Sequence, residues 1–254
     1  MTPEQVPAQR RNQSVQKAAA LLRAAAATPE GVTVSELARR AALPRATAGR
    51  MVEALLAERF LRRLPDDRVA LGSGLFALAR AADADAALLD AARVPLATLA
   101  AAVPETITLT ACRPDGSLEI VRQLDGPRML GLTNWVGRPF PTHASSSGKL
   151  ALALGAEAVR KRLPDTLERH ASRTITRGDE LEAELETIRR QRYAEIVDEL
   201  EDGLAAVSVP VFLDGQLIAS INASGPRERF DAAERARGLP ALRDAAADVE
   251  RRLR

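Results

Sequence analysis

The sequence predicts an α+β protein in which a small helical unit with a β-hairpin precedes a larger, mainly antiparallel sheet. Short amphipathic helical segments fill residues 14–59, and two strand-like segments around a turn follow them. Beyond Pro104 the pattern changes from helical to strand-rich, and Asp214-Gly215 between two apolar stretches is a strong hairpin signal.

Composition and charge set the class of the chain. With 254 residues and 46% hydrophobic side chains, it is long enough for one large or two modest domains with a buried core. The single cysteine, Cys112, excludes an internal disulfide framework and indicates a reducing compartment. No apolar run reaches transmembrane length and no signal-peptide pattern is present. We therefore expect a cytoplasmic protein that makes no membrane contact.

The N-terminal part is basic. Residues 1–72 contain 12 Lys and Arg against 7 Asp and Glu, which leaves 24 against 27 in the remainder. This asymmetry favours a nucleic-acid-binding unit attached to a domain of another kind, although a random scatter of charge gives differences of this size.

The chain begins with a polar, proline-containing segment, residues 1–13, that is expected to be a flexible tail. Ser14 then suits the N-cap of a first helix that runs to about Ala27. Two further helices are predicted between Thr33 and Arg59. The first has Thr33 or Ser35 as its cap, and the second has an apolar stripe at i, i+3, i+4 and i+7 formed by Ala48, Met51, Val52 and Leu55.

Two short helices in this order are typical of a helix-turn-helix, whose second helix enters the DNA major groove. The face of this second helix opposite its apolar stripe is bare, because Ala46 and Gly49 are small. A bare face lets the helix approach another surface closely. Arg50, with Arg45 at the helix start, supplies planar donors for phosphate or guanine, and Thr47 adds a hydroxyl. The alternative is an ordinary amphipathic helix pair, but the flanking segments favour DNA binding.

A β-hairpin directly follows the pair. Residues 60–64 and 68–71 are predicted as strands around Pro65-Asp66-Asp67, which completes a winged helix-turn-helix. Arginines on this wing are expected to contact phosphates, which positions a protein without reading sequence. The candidate DNA-binding residues are Thr33, Ser35, Arg45, Ala46, Thr47, Gly49, Arg50, Arg62, Arg63 and Arg68.

Alanine- and leucine-rich sequence then predicts helix to about Ala102, with Pro95 near the start of a second helix there. The first helix is either a linker and dimer contact or a plain connecting helix. The shift to strands places the domain boundary between Ala82 and Pro104. The predicted strands are Thr106–Ala111, Leu118–Leu124, Met129–Thr133, Ala206–Leu213 and Gln216–Ser224, the predicted helices are Glu180–Arg192 and Arg237–Leu253, and residues 193–197 fit strand or loop.

The most distinctive stretch is Gly137–Lys149, GRPFPTHASSSGK, a glycine- and proline-shaped loop that leads into a helix. Its serines 145–147 place hydroxyls and free N–H groups at the helix N-terminus, where an anion such as a carboxylate is favoured. A zinc site lacks ligands, since only His143, His170 and Cys112 are candidates, and His143 is expected to fix the loop. A catalytic serine lacks a nucleophile elbow and a third partner. We therefore predict no catalytic residues, metal or cofactor.

With these residues in view, the chain resembles the IclR family of bacterial transcriptional regulators. Residues 14–18 resemble the start of the family's first helix, Leu43–Arg50 its recognition segment, and 201–210 with 220–226 its late sheet. Leu150 replaces the usual alanine of the central family motif, which is otherwise matched by Gly137, Arg138, Phe140, Pro141, His143, Ser145, Gly148, Lys149, Leu152 and Ala153.

The resemblance implies a winged helix-turn-helix domain, a linker helix and a GAF-like antiparallel-sheet effector-binding domain. It implies a homodimer or a dimer of dimers (homotetramer) on double-stranded DNA with a pseudo-palindromic operator, and a small organic-acid effector. The implied division is a tail at 1–13, a DNA-binding domain at 14–72, a linker helix at 73–90, and an effector-binding and oligomerisation domain at 91–254.

The resemblance also implies an effector pocket between the sheet and the helix of the central motif. Some members carry a pocket carboxylate after a Gly-Tyr motif. Here Tyr193 leads to Ile196, so that carboxylate is missing or shifted to Glu195 or Asp198, which favours a partly apolar acid. The implied pocket residues are Leu130, Leu132, Phe140, Ser146, Ser147, Ala206, Asn222 and Ser224.

The predicted function is that of a DNA-binding regulator, a repressor of a catabolic or metabolic operon that its effector switches by a population shift. Two alternatives are a ligand-responsive enzyme with a DNA-tethering domain, which would turn over its ligand, and an architectural DNA protein, which would have no pocket.

Overall fold

The computed structural model describes residues 13–75, 78, 84–127 and 133–254. The chain divides into two compact units, residues 1–84 and 85–254. The predicted strand Met129–Thr133 lies outside the described residues except for Thr133 itself. Residues 76, 77 and 79–83 of the predicted linker, 73–90, also lie outside them.

The described elements of the N-terminal unit are three helices and a hairpin. Apolar side chains of all these elements meet in one core, which includes Leu21, Leu37, Val52 and Val69. The hairpin strands pair antiparallel, and Val32 bridges to Val69. The elements are α1 (Gln13–Ala26), α2 (Val34–Arg40), α3 (Arg45–Ala57), β1 (Leu61–Arg63) and β2 (Val69–Leu71).

The C-terminal unit is built on one antiparallel sheet, with strand order β4-β3-β7-β6-β5. Together the two units confirm the predicted α+β class. The elements are α4 (Ala84–Ala102), β3 (Thr106–Cys112), β4 (Leu118–Leu124), α5 (Ser146–Leu154), α6 (Glu157–Lys161), α7 (Gly178–Gln191), β5 (Ala194–Val197), β6 (Leu204–Leu213), β7 (Gln216–Pro226) and α8 (Ala232–Arg252).

Alternation along the strands gives this sheet one apolar and one polar face. Ile107 and Leu109 of β3 point to the apolar face, which packs with α4 and α8 in the main core of the unit. The polar face aligns Thr108 with Asn222 and Asn222 with Ser208 across three strands. The helix α5 lies over this face and packs with α7 in a smaller core.

Two predicted helix starts are wrong. The helix α4 runs without interruption through Pro95, because burial of Leu96 and Leu99 against the sheet outweighs the cost of about 3 kcal/mol for an interior proline. The helix α8 begins at Ala232 rather than Arg237, since the side chain of Asp231 caps it by accepting a hydrogen bond from Glu234 N at 2.9 Å. None of the described helices is long and apolar enough to cross a bilayer.

Candidate functional site

The outward face of α3 carries the predicted recognition residues. Arg45, Ala46 and Arg50 are exposed and Thr47 is half-buried, whereas Ala48 of the same helix lies in the core. The preceding residue is a proline that supplies no side-chain cap, so the N–H groups of the first turn keep no partner from it. The start of α3 thus combines arginines with the positive end of a helix dipole, as phosphate binding requires.

Gly49 lies within this face, and nothing in the fold requires a glycine at this position. A Cβ added to it would meet no atom within 4 Å. Glycine in a helix interior costs about 1 kcal/mol relative to alanine, so the fold alone favours a side chain here. The missing side chain leaves a bare patch next to Arg50, which suits close approach of a partner surface.

The three wing arginines differ in their surroundings. Arg63 Nη2 lies 2.6 Å from Glu53 Oε1 of α3, which ties the wing to that helix. Arg68 Nε lies 2.6 Å from Asp66 Oδ2 in the turn and holds the pKa of that carboxyl below its usual range. Arg62 is exposed and makes no ion pair within the described part of the chain, so it is the wing arginine best placed to meet a phosphate.

The structure assigns the cap of α2 to Thr33, whose Oγ1 accepts a hydrogen bond from Glu36 N at 3.2 Å. Ser35, two residues after Thr33 in the first turn of α2, is exposed. The guanidinium groups of Arg39 and Arg40 lower the pKa of Glu36 to about 2, so the carboxylate stays ionised and anchors both side chains. The hydroxyl of Thr33 therefore has a structural role, because it caps α2.

A cavity of about 190 Å³ lies over the polar face of the sheet at the N-terminus of α5. Its apolar wall consists of Ile120, Trp135, Phe140, Ile196, Leu200, Leu204 and Ala206. Its polar lining consists of Thr108, Gln123, Thr133, Ser145, Ser146, Ser147, Glu201, Asn222 and Ser224. Phe140, Ser146, Ser147, Ala206, Asn222 and Ser224 of the predicted pocket thus meet at one cavity, while Leu130 and Leu132 lie outside the described residues.

The three serines at the start of α5 have different partners. Ser145 caps the helix, since its Oγ accepts a hydrogen bond from Gly148 N at 3.2 Å and donates to Pro141 O at 2.8 Å. Ser146 Oγ lies 2.7 Å from Ser208 Oγ on the sheet. Ser147 is 7% exposed, lines the cavity and has no hydrogen-bond partner among the described residues. Its hydroxyl is therefore available to a bound molecule.

Several lining residues escape sequence reasoning. Trp135 belongs to the irregular segment before α5, and Leu200 and Glu201 belong to the loop between β5 and β6. Nothing local marks these loops as neighbours. The signal for Thr108 was present, because it alternates with apolar neighbours on a strand and must face the polar side.

The sequence leaves open whether the pocket carboxylate is missing or shifted to Glu195 or Asp198, and neither of these two residues lines the cavity. Glu195 faces α8, where its Oε1 lies 3.4 Å from Arg235 Nε. Asp198 accepts a hydrogen bond from Gly203 N at 2.6 Å, which with the charge of Arg227 lowers its pKa and commits it to the loop. Ile196 lines the cavity in their place. Strand alternation decides the position of Glu195, since residues 195 and 196 point to opposite faces of the sheet, whereas Asp198 lies beyond the end of β5 and is held by its loop partners.

A buried ion pair connects α5 to the loop that carries Leu200 and Glu201. Lys149 Nζ is fully buried and lies 2.5 Å from Glu199 Oε2 and 3.8 Å from Glu184 Oε1. Burial raises the pKa of Glu199, which Lys149 counteracts. Since each partner compensates the charge of the other, the pair fixes the loop against the helix.

His143 fixes the loop before α5, as predicted for its structural role. Its Nε2 lies 2.8 Å from the main-chain oxygen of Glu168, and burial lowers its pKa, which favours the neutral ring. His170 packs beside it at 5.5 Å between ring centroids. Within the described residues, no group of three or more His, Cys, Asp or Glu could hold a metal.

A winged helix-turn-helix joined to a sheet unit with a partly buried polar cavity defines a ligand-responsive, DNA-binding transcriptional regulator. Residues 14–65 match the IclR helix-turn-helix domain, and residues 81–251 match the bacterial transcriptional regulator IclR C-terminal domain. The chain belongs to the IclR family of bacterial transcriptional regulators. This membership confirms the predicted family, fold and regulatory function, and it decides against the enzyme alternative.

Relatives with related names span most of the chain. KdgR, an HTH-type transcriptional regulator of Dickeya chrysanthemi, is 29% identical over 203 residues, which cover 78% of this chain and 66% of that protein. The glycerol operon regulatory protein of Streptomyces griseus is 29% identical over 245 residues, covering 95% and 96%. The crystal structure of an IclR homologue complexed with 4-hydroxybenzoate, from Microbacterium hydrocarbonoxydans, is 27% identical with a TM-score of 0.60, covering 94% and 98%.

Proposed function

We propose that this regulator is a repressor whose effector is a small organic acid, bound in the cavity with its carboxylate at the N-terminus of α5. The observation that carries the proposal is Ser147, a buried residue that lines the cavity, whose hydroxyl has no hydrogen-bond partner among the described residues and which lies in the first turn of α5. The N–H groups of that turn and the helix dipole favour a negative charge. A carboxylate supplies acceptors for all of these donors.

The rest of the cavity suits a compact apolar body. Trp135, Phe140, Ile120 and Ile196 line it, and its volume of about 190 Å³ lies below the range of about 300–1,000 Å³ typical of sites for drug-sized ligands. The related structure with 4-hydroxybenzoate supports an aromatic carboxylate as one member of the class.

On the DNA side, we propose that α3 enters the major groove with Arg45, Thr47 and Arg50 towards base edges, and that Arg62 contacts a phosphate. Three such side chains give a single protomer little selectivity for one DNA sequence. A homodimer or dimer of dimers on a pseudo-palindromic operator would increase this selectivity, because the spacing of the half-sites then becomes part of recognition. The effector would favour one arrangement of the paired units and so release the operator.

We further propose the division of labour predicted from the sequence, with DNA binding in residues 14–72, a linker helix in 73–90 and effector binding with oligomerisation in 91–254. The 90/91 boundary lies inside α4, so the linker and the effector-binding domain would share one continuous helix. The controlled operon is expected to be catabolic or metabolic, in line with the names of the relatives.

The test uses the only tryptophan of the chain, Trp135, as a reporter inside the cavity. Titration with a panel of small organic acids should change its fluorescence saturably, without turnover, and should release operator DNA over the same concentration range. Ser147→Leu should abolish both responses while DNA binding persists, because the leucine fills the space beside the helix N-terminus.

Thr98→Leu is the matched control, since Thr98 is exposed on α4 and α4 packs on the apolar face of the sheet, away from the cavity. This variant should respond like the natural protein. An effector response that survives in Ser147→Leu would refute binding at the helix N-terminus.

A further inference from the structure

A chain of buried polar side chains joins the sheet to the N-terminus of α5. Asn222 Nδ2 lies 3.0 Å from both Thr108 Oγ1 and Thr110 Oγ1 on β3. Asn222 Oδ1 contacts the hydroxyl of Ser208 on β6, and Ser208 Oγ lies 2.7 Å from Ser146 Oγ. All five residues are at least nine-tenths buried, so each hydrogen bond must be satisfied inside the protein.

The orientation of the Asn222 amide determines which group donates in each of these hydrogen bonds. Its Nδ2 also lies 3.4 Å from the main-chain oxygen of Thr108, an atom that only accepts hydrogen bonds. The amide nitrogen therefore belongs on the β3 side, and the amide oxygen points towards Ser208. That oxygen is an acceptor and takes a proton from its neighbour.

Ser208 carries one hydroxyl proton, which it donates to Asn222 Oδ1. The short contact between Ser208 and Ser146 then has only one possible donor, the hydroxyl of Ser146. Ser220 Oγ lies 3.5 Å from Asn222 Oδ1, too far to replace Ser208 as the main donor. With its proton directed at the sheet, Ser146 turns lone pairs towards the cavity that it lines.

The next residue has the opposite polarity. Ser147 has no partner among the described residues, so its hydroxyl proton can be donated into the cavity. An acceptor and a donor thus stand on consecutive residues at the start of α5, and both line the same cavity. A ligand that satisfies both must carry a donor of its own close to its carboxylate.

We infer that the effector is a 2-hydroxy acid, with its carboxylate on Ser147 and the N–H groups of α5 and its hydroxyl donating to Ser146. This inference rests on the proposed function and specifies the class of acid. A 2-oxo acid would place a second acceptor against the lone pairs of Ser146, and an unsubstituted acid would leave them without a donor. Ser208 and Asn222 are positioning residues, because they act on the ligand through Ser146.

The test compares matched acids that differ only at C2, namely mandelate, phenylglyoxylate and phenylacetate, with lactate, pyruvate and propionate as a small series. Titration followed by Trp135 fluorescence should rank hydroxy acid first and oxo acid last within a series. The dissociation constants of hydroxy and oxo acid should differ about tenfold or more, because an unsatisfied buried acceptor costs about as much as a buried hydrogen bond.

The variant Ser208→Ala removes the acceptor that holds the proton of Ser146, so Ser146 can donate to an oxo group and the ratio of the two constants should fall towards one. Ser220→Ala is the control: it deletes an equally buried hydroxyl near Asn222 that does not reach Ser146, and it should keep the ratio. An unchanged ratio in Ser208→Ala, or equal binding of hydroxy and oxo acids by the natural protein, overturns the inference alone. Failure of all six acids to bind overturns the proposed organic-acid site as well.

Discussion

Two helices of this regulator begin at functional sites, and the two starts are built in opposite ways. The start of α3 is open, because Pro44 gives no side-chain cap and Arg45 is exposed. The start of α5 is closed, because Ser145 caps it, Ser146 bonds to the sheet and Ser147 is buried at the cavity. Both present the positive end of a helix, one to the outside of its unit and one to the cavity.

The difference lies in how much the fold itself uses each functional group. On α3, Arg50 makes no ion pair within the described residues, and a side chain at Gly49 would touch no atom of the protein, so both positions can serve a partner. Around α5, most polar groups also hold the unit together, as Lys149 does through Glu199. Substitutions at α3 should therefore separate binding from stability, whereas substitutions around α5 should not.

The largest effect is expected for Lys149→Met. Removing the ammonium leaves the charge of Glu199 buried without compensation, which typically costs about 3–5 kcal/mol of unfolding free energy. Burial already raises the pKa of Glu199. A carboxyl whose folded-state pKa exceeds its unfolded value loses stability as pH rises through that interval, so the deficit of this variant should be larger at pH 8 than at pH 5. Urea unfolding at both pH values measures it.

The double variant Lys149→Met/Glu199→Leu is the control, since it removes both charges and should recover much of the lost stability. If Lys149→Met were as stable as the natural protein at pH 8, the ion pair would not stabilise the unit, and the contrast between α5 and α3 would be wrong.

Arg50→Ala should lower operator affinity by about 1–3 kcal/mol and reduce the preference for operator over random DNA. The thermal midpoint should stay the same, because Arg50 is exposed and no ion pair within the described residues is lost. Fluorescence anisotropy with both DNAs measures the preference. Arg23→Ala, an exposed arginine on α1, is the control and should keep it. An unaltered preference in Arg50→Ala would remove α3 from base recognition.

Arg62→Ala should weaken binding to all sequences alike and reduce the slope of log affinity against log salt by about 1, as the loss of one phosphate contact does. Arg63→Ala offers a contrast, since Arg63 is tied to Glu53 and its loss should loosen the wing as well. Titrations at several salt concentrations measure the slope. A changed base preference with the slope intact would contradict the phosphate assignment of Arg62.

The variant Gly49→Ala should raise the unfolding free energy by up to about 1 kcal/mol while weakening DNA binding. The added methyl meets nothing in the protein and occupies the patch left for DNA. Gly148→Ala in α5 gives the contrast: its Cβ would lie 2.0 Å from Thr142 O, so that variant should fold poorly. Thermal unfolding and operator titration read out both. Unweakened DNA binding by Gly49→Ala would show that the bare patch is not used.

Sequence reasoning predicted elements well where the signal is local. The wing turn at Pro65-Asp66-Asp67 and the hairpin at Asp214-Gly215 depend on a few neighbouring residues, and both appear in the structure. The helix α1 already includes Gln13, so Ser14 lies inside it and is not the predicted N-cap. The helix start predicted near Pro95 is wrong, because tertiary burial outweighs a local rule.

The sequence by itself determined the classes of the two units, the arginine-bearing face of α3 and the anion-favouring start of α5, since helical and strand periodicity and capping chemistry act over a few residues. Only the tertiary structure decided that Ile196 rather than Glu195 lines the cavity, and that Asn222, Ser208 and Ser146 share one hydrogen-bond chain. Those hydrogen bonds join residues up to 62 positions apart, and the direction of each one depends on what faces it across the fold.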